Sequence, residues 1–154
     1  MASDAASVVI RNAVTVAVPV ETAFRVFTEE VGSWWPLRTK SVGQEEAEDL
    51  VIEPREGGRV YERVRGGQEH LWGEILVWEP PHRLAFTWHP GRGPETSQEV
   101  EVRFTASSEG TVVELEHRGW DRLVATADEI PDHYVSGWDE VLSRFALAAG
   151  PDGK

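Results

Sequence analysis

The sequence predicts an α+β fold: a curved antiparallel sheet of about seven strands wrapped around one long C-terminal helix, with short helices after the first strand. Three observations predict it. From Leu50 to Gly119, short strand-like runs recur between Gly and Pro turn signals. Ahead of them, Val20, Ala23, Phe24 and Phe27 fall on one helical stripe. After them, Tyr134, Trp138, Val141, Leu142, Phe145 and Ala149 make a second, longer stripe. A sheet with one apolar face needs a cover, and the long helix is the available one.

The elements follow in order. Val8 to Val18 is rich in Val and Ile and reads as the first strand. Pro19 suits the first turn of the helix that follows, where its missing N–H costs nothing. Gly32 is expected to end that helix. Trp34-Trp35-Pro36-Leu37 and a polar, acidic stretch to Asp49 read as a loop with room for a short helix. Six strands are then predicted: Leu50 to Glu53, Arg59 to Arg65, His70 to Trp78, His82 to Trp88, Ser97 to Ala106 and Thr111 to Arg118. Alternation assigns faces in two of them. Leu84, Phe86 and Trp88 share one side; Val100, Val102 and Phe104 share another, with Glu99, Glu101 and Arg103 opposite. Pro131 can start the last helix and Gly150 can stop it. Residues 8–150 are read as a single domain, with 1–7 and 151–154 as flexible tails.

Composition narrows the function. The chain has 154 residues and a net charge of −12. An acidic chain repels phosphate backbones, which argues against a nucleic-acid partner and against an anionic membrane surface. No apolar run approaches the roughly 20 residues that span a bilayer, so no membrane insertion is expected. There is no cysteine, which excludes disulfides and thiolate chemistry. Met1 to Ser7 lack the basic start and apolar stretch of a signal peptide, so the expected location is cytoplasmic. His70, His82, His89, His117 and His133 show no ligand spacing, and no metal or other cofactor is predicted. Gly57-Gly58 and Gly66-Gly67 are hairpin turns rather than phosphate loops. No serine stands in a nucleophile-elbow pattern, so covalent catalysis has no evident agent.

Seven tryptophans in this length are the most distinctive feature. They imply either an unusually aromatic core or a pocket walled by indoles. A curved sheet cannot pack tightly along the whole of one helix, so a cavity between them is expected.

Several pieces, in order, resemble the START-like or SRPBCC superfamily with its helix-grip fold, in the branch of homologues of the heat-shock-protein-90 ATPase activator. They are Pro19 with Ala23-Phe24 and Phe27-Thr28; Trp34-Trp35-Pro36-Leu37 before Ser41-Val42-Gly43; Glu53-Pro54 leading to Gly57-Gly58-Arg59-Val60-Tyr61-Glu62; Trp72-Gly73-Glu74-Ile75 running into Trp78-Glu79-Pro80-Pro81; Glu116-His117-Arg118-Gly119-Trp120; and Tyr134, Gly137-Trp138, Val141-Leu142. The resemblance covers roughly Val8 to Phe145. It implies a small hydrophobic ligand held between helix and sheet. The superfamily also offers two alternatives: a cyclase, aromatase or hydrolase using the same cavity, and a chaperone-associated interaction domain. The eukaryotic activator carries an additional chaperone-binding domain, for which this chain has no room. Lys40 stands where close relatives often place His, so any ligand role of that position is altered here.

The candidate ligand-binding residues are Trp35, Glu62, Phe86, Trp88, His117, Tyr134 and Trp138. Of the pair Trp34 and Trp35, one is expected in the core and the other at the cavity mouth or an oligomer contact. Phe86 and Trp88 face the helix, as core or as cavity wall. Glu62 is inside if Val60 and Val64 are, and outside if Tyr61 and Arg63 take the inner face. Inside, it is a polar anchor or a general base. His117 continues the face of Val113 and Leu115; it is either a satisfied structural histidine or a pocket acid–base group. Tyr134 and Trp138 sit one turn apart, each with a polar tip able to orient a ligand. Gly137 between them costs about 1 kcal/mol in a helix interior, which room for a ligand or a close approach to the sheet could offset. Spare indoles are also compatible with a homodimer.

Overall fold

The computed structural model describes Ala5, residues 8–130 and residues 133–150. Pro131 as a helix start lies outside the described residues, as do the tails apart from Ala5. The elements are β1 (Ile10–Val16), α1 (Val20–Thr28), α2 (Val31–Trp34), β2 (Ala47–Ile52), β3 (Arg59–Val64), β4 (Glu69–Glu79), β5 (Arg83–Trp88), β6 (Gln98–Ser107), β7 (Gly110–Arg118) and α3 (His133–Ala148). The seven strands form one sheet in the order β1-β7-β6-β5-β4-β3-β2, every pair antiparallel. This is the α+β helix-grip arrangement, with α3 and the two short helices on the apolar face. No helix among the described residues is long and apolar enough to cross a membrane.

Register explains the core. Leu84 pairs with Val102, and Val102 with Leu115; Phe86 pairs with Val100, and Val100 with His117. Paired residues in neighbouring strands point to the same face, so the inner sides of β5, β6 and β7 make continuous rows. These residues are buried without exception. Phe145 of α3 covers the rows by packing its ring on Phe27 at 5.2 Å and on Trp34 at 5.5 Å. On the outer face, Glu101 is buried under three arginines, with Arg83 at 2.6 Å, Arg118 at 2.9 Å and Arg103 at 3.0 Å. Burial pushes its carboxyl up, but the hydrogen bonds and charges of these arginines outweigh that and leave it below the usual range.

Most strand boundaries fall within two residues of the sequence expectation, and two element ends differ by three. The first helix stops at Thr28, and Gly32 lies inside α2 rather than at a helix end. The glycine is needed for a close approach: a Cβ there would stand 1.8 Å from Asp49 Oδ1 and 3.0 Å from the Leu50 carbonyl oxygen. The edge strand β2 begins at Ala47, three residues before Leu50. Its first residues are Ala47, Glu48 and Asp49, a polar opening typical of a sheet edge and poorly marked by hydropathy.

Candidate functional site

A cavity of about 340 Å³ opens between one end of α3, the end of β5 and the segment joining α2 to β2. Three indoles form its apolar wall. Trp88 and Trp138 touch directly, their ring centroids 5.1 Å apart, and Trp35 lies 6.1 Å from the first and 6.0 Å from the second. The space between Trp88 and Trp138 is therefore closed by the rings themselves, and the cavity lies alongside them. Tyr134, Gly137 and Val141 continue the wall along α3, one to two turns apart. Pro90 and Gly91 close it from the turn after β5. Thr39, Lys40, Ser41 and Val42 close it from the α2–β2 segment. Lys40 is the one charged side chain among the described lining residues.

The structure thus brings four of the seven candidates, Trp35, Trp88, Tyr134 and Trp138, to the wall. Phe86, Glu62 and His117 stand behind it. Phe86 is buried against Trp88, with centroids 6.0 Å apart.

Glu62 is fully buried, but its partners are protein. Oε1 accepts the Val42 N–H at 2.7 Å and the Trp72 Nε1–H at 2.8 Å, and Oε2 accepts the Gly43 N–H at 2.7 Å. The carboxylate therefore pins the Val42-Gly43 backbone, which carries part of the cavity wall, onto β3. Gly43 permits the close approach, since a Cβ there would lie 2.5 Å from Val64 Cγ1 and 3.0 Å from Glu62 Oε2. Both carboxylate oxygens are engaged by protein donors.

His117 is also fully buried and fully engaged. Its Nδ1 accepts the Trp138 Nε1–H at 3.0 Å, which leaves Nε2 as the protonated nitrogen facing Gln98 Oε1 at 3.2 Å. The ring stacks on Trp120 at 4.0 Å and meets Tyr134 edge-on at 5.1 Å. Burial alone lowers its pKa to about 3. The neutral imidazole is a bracket that orients the Trp138 ring; it does not exchange protons near neutral pH.

The lining residues that sequence reasoning did not select are Thr39, Lys40, Ser41, Val42, Pro90, Gly91, Gly137 and Val141. Three of these had a signal. Lys40 departs from the residue expected in relatives, Gly137 sits inside a helix against its propensity, and Val141 shares the helical stripe of Trp138. At Gly137 an added Cβ would make only ordinary contact with Lys40, 3.5 Å from Nζ and 3.6 Å from Cε. Close approach to the sheet therefore does not explain this glycine; the space beside it belongs to the cavity.

Comparison with known proteins agrees with this architecture. The family model for activator of Hsp90 ATPase homolog 1-like proteins matches residues 17–150. No curated protein matches the chain. Among solved structures, an anthrahydroquino-gamma-pyrone synthase is 36% identical, with a TM-score of 0.60, covering 90% of this chain and 95% of its own. The Aha1 dimer from Colwellia psychrerythraea is 18% identical, with a TM-score of 0.70, covering 96% and 98%. CalU16 from Micromonospora echinospora is 24% identical, with a TM-score of 0.59, covering 94% and 76%.

Proposed function

The chain belongs to the activator of Hsp90 ATPase homolog 1-like family, and from that premise we propose that it binds a small, flat, largely apolar ligand in the cavity between α3 and the sheet. The observation that carries this reading is the wall itself: three indoles converge on a space of about 340 Å³, with few polar groups among them. That volume lies at the lower end of small-molecule sites, which run from about 300 to 1,000 Å³. Indole faces favour stacked or edge-on aromatic rings. The 36% identical relative supports the same ligand shape, because a synthase so named makes a fused aromatic product bearing ring oxygens.

That relative also favours a second reading, a cyclase-like enzyme using the same cavity. The described wall holds no carboxylate and no histidine, and Glu62 and His117 are committed to protein partners. Such an enzyme needs a carboxylate–His or Tyr–His pair within hydrogen-bond reach; Tyr134 meets the His117 ring edge-on at 5.1 Å, but both ring nitrogens of His117 are taken, by Trp138 and Gln98, which leaves acid–base chemistry to Lys40 or Tyr134 without a histidine partner. Binding is accordingly the conclusion. A chaperone-associated role ranks below both, since the exposed large apolar side chains among the described residues are four: Val42, Leu71, Leu76 and Leu147. The dimeric Colwellia protein makes a second copy of this chain the first protein partner to test, by sedimentation.

The test is titration calorimetry with a neutral anthraquinone carboxamide as probe. Micromolar binding with quenching of tryptophan fluorescence is expected. Gly137→Leu should preserve the fold, since it replaces a poor helix former with a good one, worth up to about 1 kcal/mol of stability. It should also fill the cavity and weaken the probe by about tenfold or more, equivalent to at least about 1.4 kcal/mol. Unaltered affinity in a folded Gly137→Leu protein would place the ligand elsewhere and sink the reading.

A further inference from the structure

Lys40 is held in a way that leaves only its charged end adjustable. Its N–H donates to the Pro36 carbonyl at 2.9 Å, and its own carbonyl accepts the Trp35 Nε1–H at 2.9 Å. Two residues on, Glu62 fixes the backbone of Val42 and Gly43. The segment is thus tied to β3 and to the indole wall, and the ammonium is carried to the cavity on a fixed backbone. Its ion partner is Glu140 on α3, at 3.6 Å. Glu140 is 43% exposed, so the pair is long and solvated and contributes little. An acid bound in the cavity can replace it at small cost.

A second donor stands on the same wall. Trp88 Nε1 is buried with no hydrogen-bond partner. Other indoles in the cluster are satisfied: Trp34 donates to the Val26 carbonyl, Trp35 to that of Lys40, Trp72 to Glu62, Trp120 to the His117 carbonyl and Trp138 to His117 Nδ1. Buried N–H groups without partners are rare in folded proteins and call for an explanation. A ligand acceptor reached by a small shift of the Trp88 ring supplies one. The hydroxyls of Thr39 and Ser41 already donate to the Pro36 and Leu37 carbonyls. The wall therefore offers a positive charge, has the unmet Trp88 N–H buried behind one of its rings, and holds no acid among its described residues.

Resting on the aromatic-ligand reading above, we propose that the ligand carries an anionic oxygen and that Lys40 is the residue that selects for it. The rings lie on the indoles, the acidic oxygen faces the ammonium, and a ring carbonyl faces the Trp88 N–H. In a chain of net charge −12 this is a local preference. Screening cuts off the distant acids within about 8–10 Å, whereas contact with Lys40 survives it.

Calorimetry on the wild-type chain, Lys40→Met and Lys40→Arg tests the inference with two matched probes, an anthraquinone carboxylate and its neutral carboxamide. The wild type should prefer the carboxylate by about tenfold, as expected for a charge-assisted contact. Lys40→Met should lose about tenfold more toward the carboxylate than toward the carboxamide, so that the preference between the two probes disappears. Lys40→Arg should keep the preference. If the wild type binds both probes equally, or Lys40→Met weakens both alike, the anion assignment is overturned and the cavity reading stands. If neither probe binds, the cavity reading itself has failed and the assignment with it.

Discussion

Glu62→Gln is expected to destabilise the protein by about 2–4 kcal/mol and to weaken ligand binding by about tenfold or more. The carboxylate takes three N–H donors, two on Oε1 and one on Oε2. An amide offers one acceptor oxygen and one NH2 group. In either orientation the NH2 faces a donor, part-buried at Gly43 or including the fully buried Trp72 N–H, so at least one N–H loses its partner and meets another donor. Each such group costs about 1–3 kcal/mol when buried. The functional loss follows from position. The released N–H groups belong to Val42 and Gly43, and the backbone they anchor carries Lys40, Ser41 and Val42 into the cavity wall. Urea unfolding and probe titration on the same variant check both parts. A variant as stable as wild type would show that the three short contacts are not maintained in solution.

His117 governs the second large effect, a dependence of stability on pH. Its pKa is depressed from 6.5 to about 3 because burial disfavours the imidazolium. Between those values the unfolded chain binds a proton that the folded chain does not. Stability is then full above pH 6.5 and falls as pH drops toward 3, by up to about 1.4 kcal/mol per unit. His117→Asn removes this titration. At pH 7 the variant should be less stable by about 2–3 kcal/mol, because the Trp138 N–H and Gln98 lose a buried partner. Near pH 4 the gap should close or reverse, since only the wild type is still resisting protonation. Glu53, Glu101 and Glu129, with lowered pKa values, also cost stability in acid, but in a lower window and equally in both chains. Denaturation midpoints at several pH values decide it; parallel curves for the two proteins would remove His117 as the cause.

Much of the fold was legible in the sequence because local chemistry marks it. Gly and Pro bound the central strands, and alternation at Leu84, Phe86, Trp88 and at Val100, Val102, Phe104 assigns their faces. The helical stripe from Trp138 to Phe145 is buried on α3 as its spacing implies. The errors lie where tertiary contact overrides local signals. Gly32 reads as a helix stop, yet it is demanded by Asp49 and Leu50 crossing in front of α2.

The site divides along the same line. Apolar periodicity finds Trp88 and Trp138, because a wall and a core obey the same pattern. Polar residues on an inner face are ambiguous, since burial does not reveal whether the partner is a ligand or the protein. Glu62 finds its partners in backbone N–H groups about 20 residues away, and His117 finds its own in Gln98 and Trp138. Neither partnership leaves a trace in spacing. Lys40 lies in an irregular segment, where no periodicity exists to point it at anything.

The most direct test of the binding reading is a crystal structure of the protein with the anthraquinone carboxamide bound at saturation. Its rings are predicted to lie against Trp35, Trp88 and Trp138, beside Gly137, with an acceptor oxygen toward the Trp88 N–H. A ligand found on another surface, or a cavity that stays closed and unoccupied while the probe binds, would contradict it.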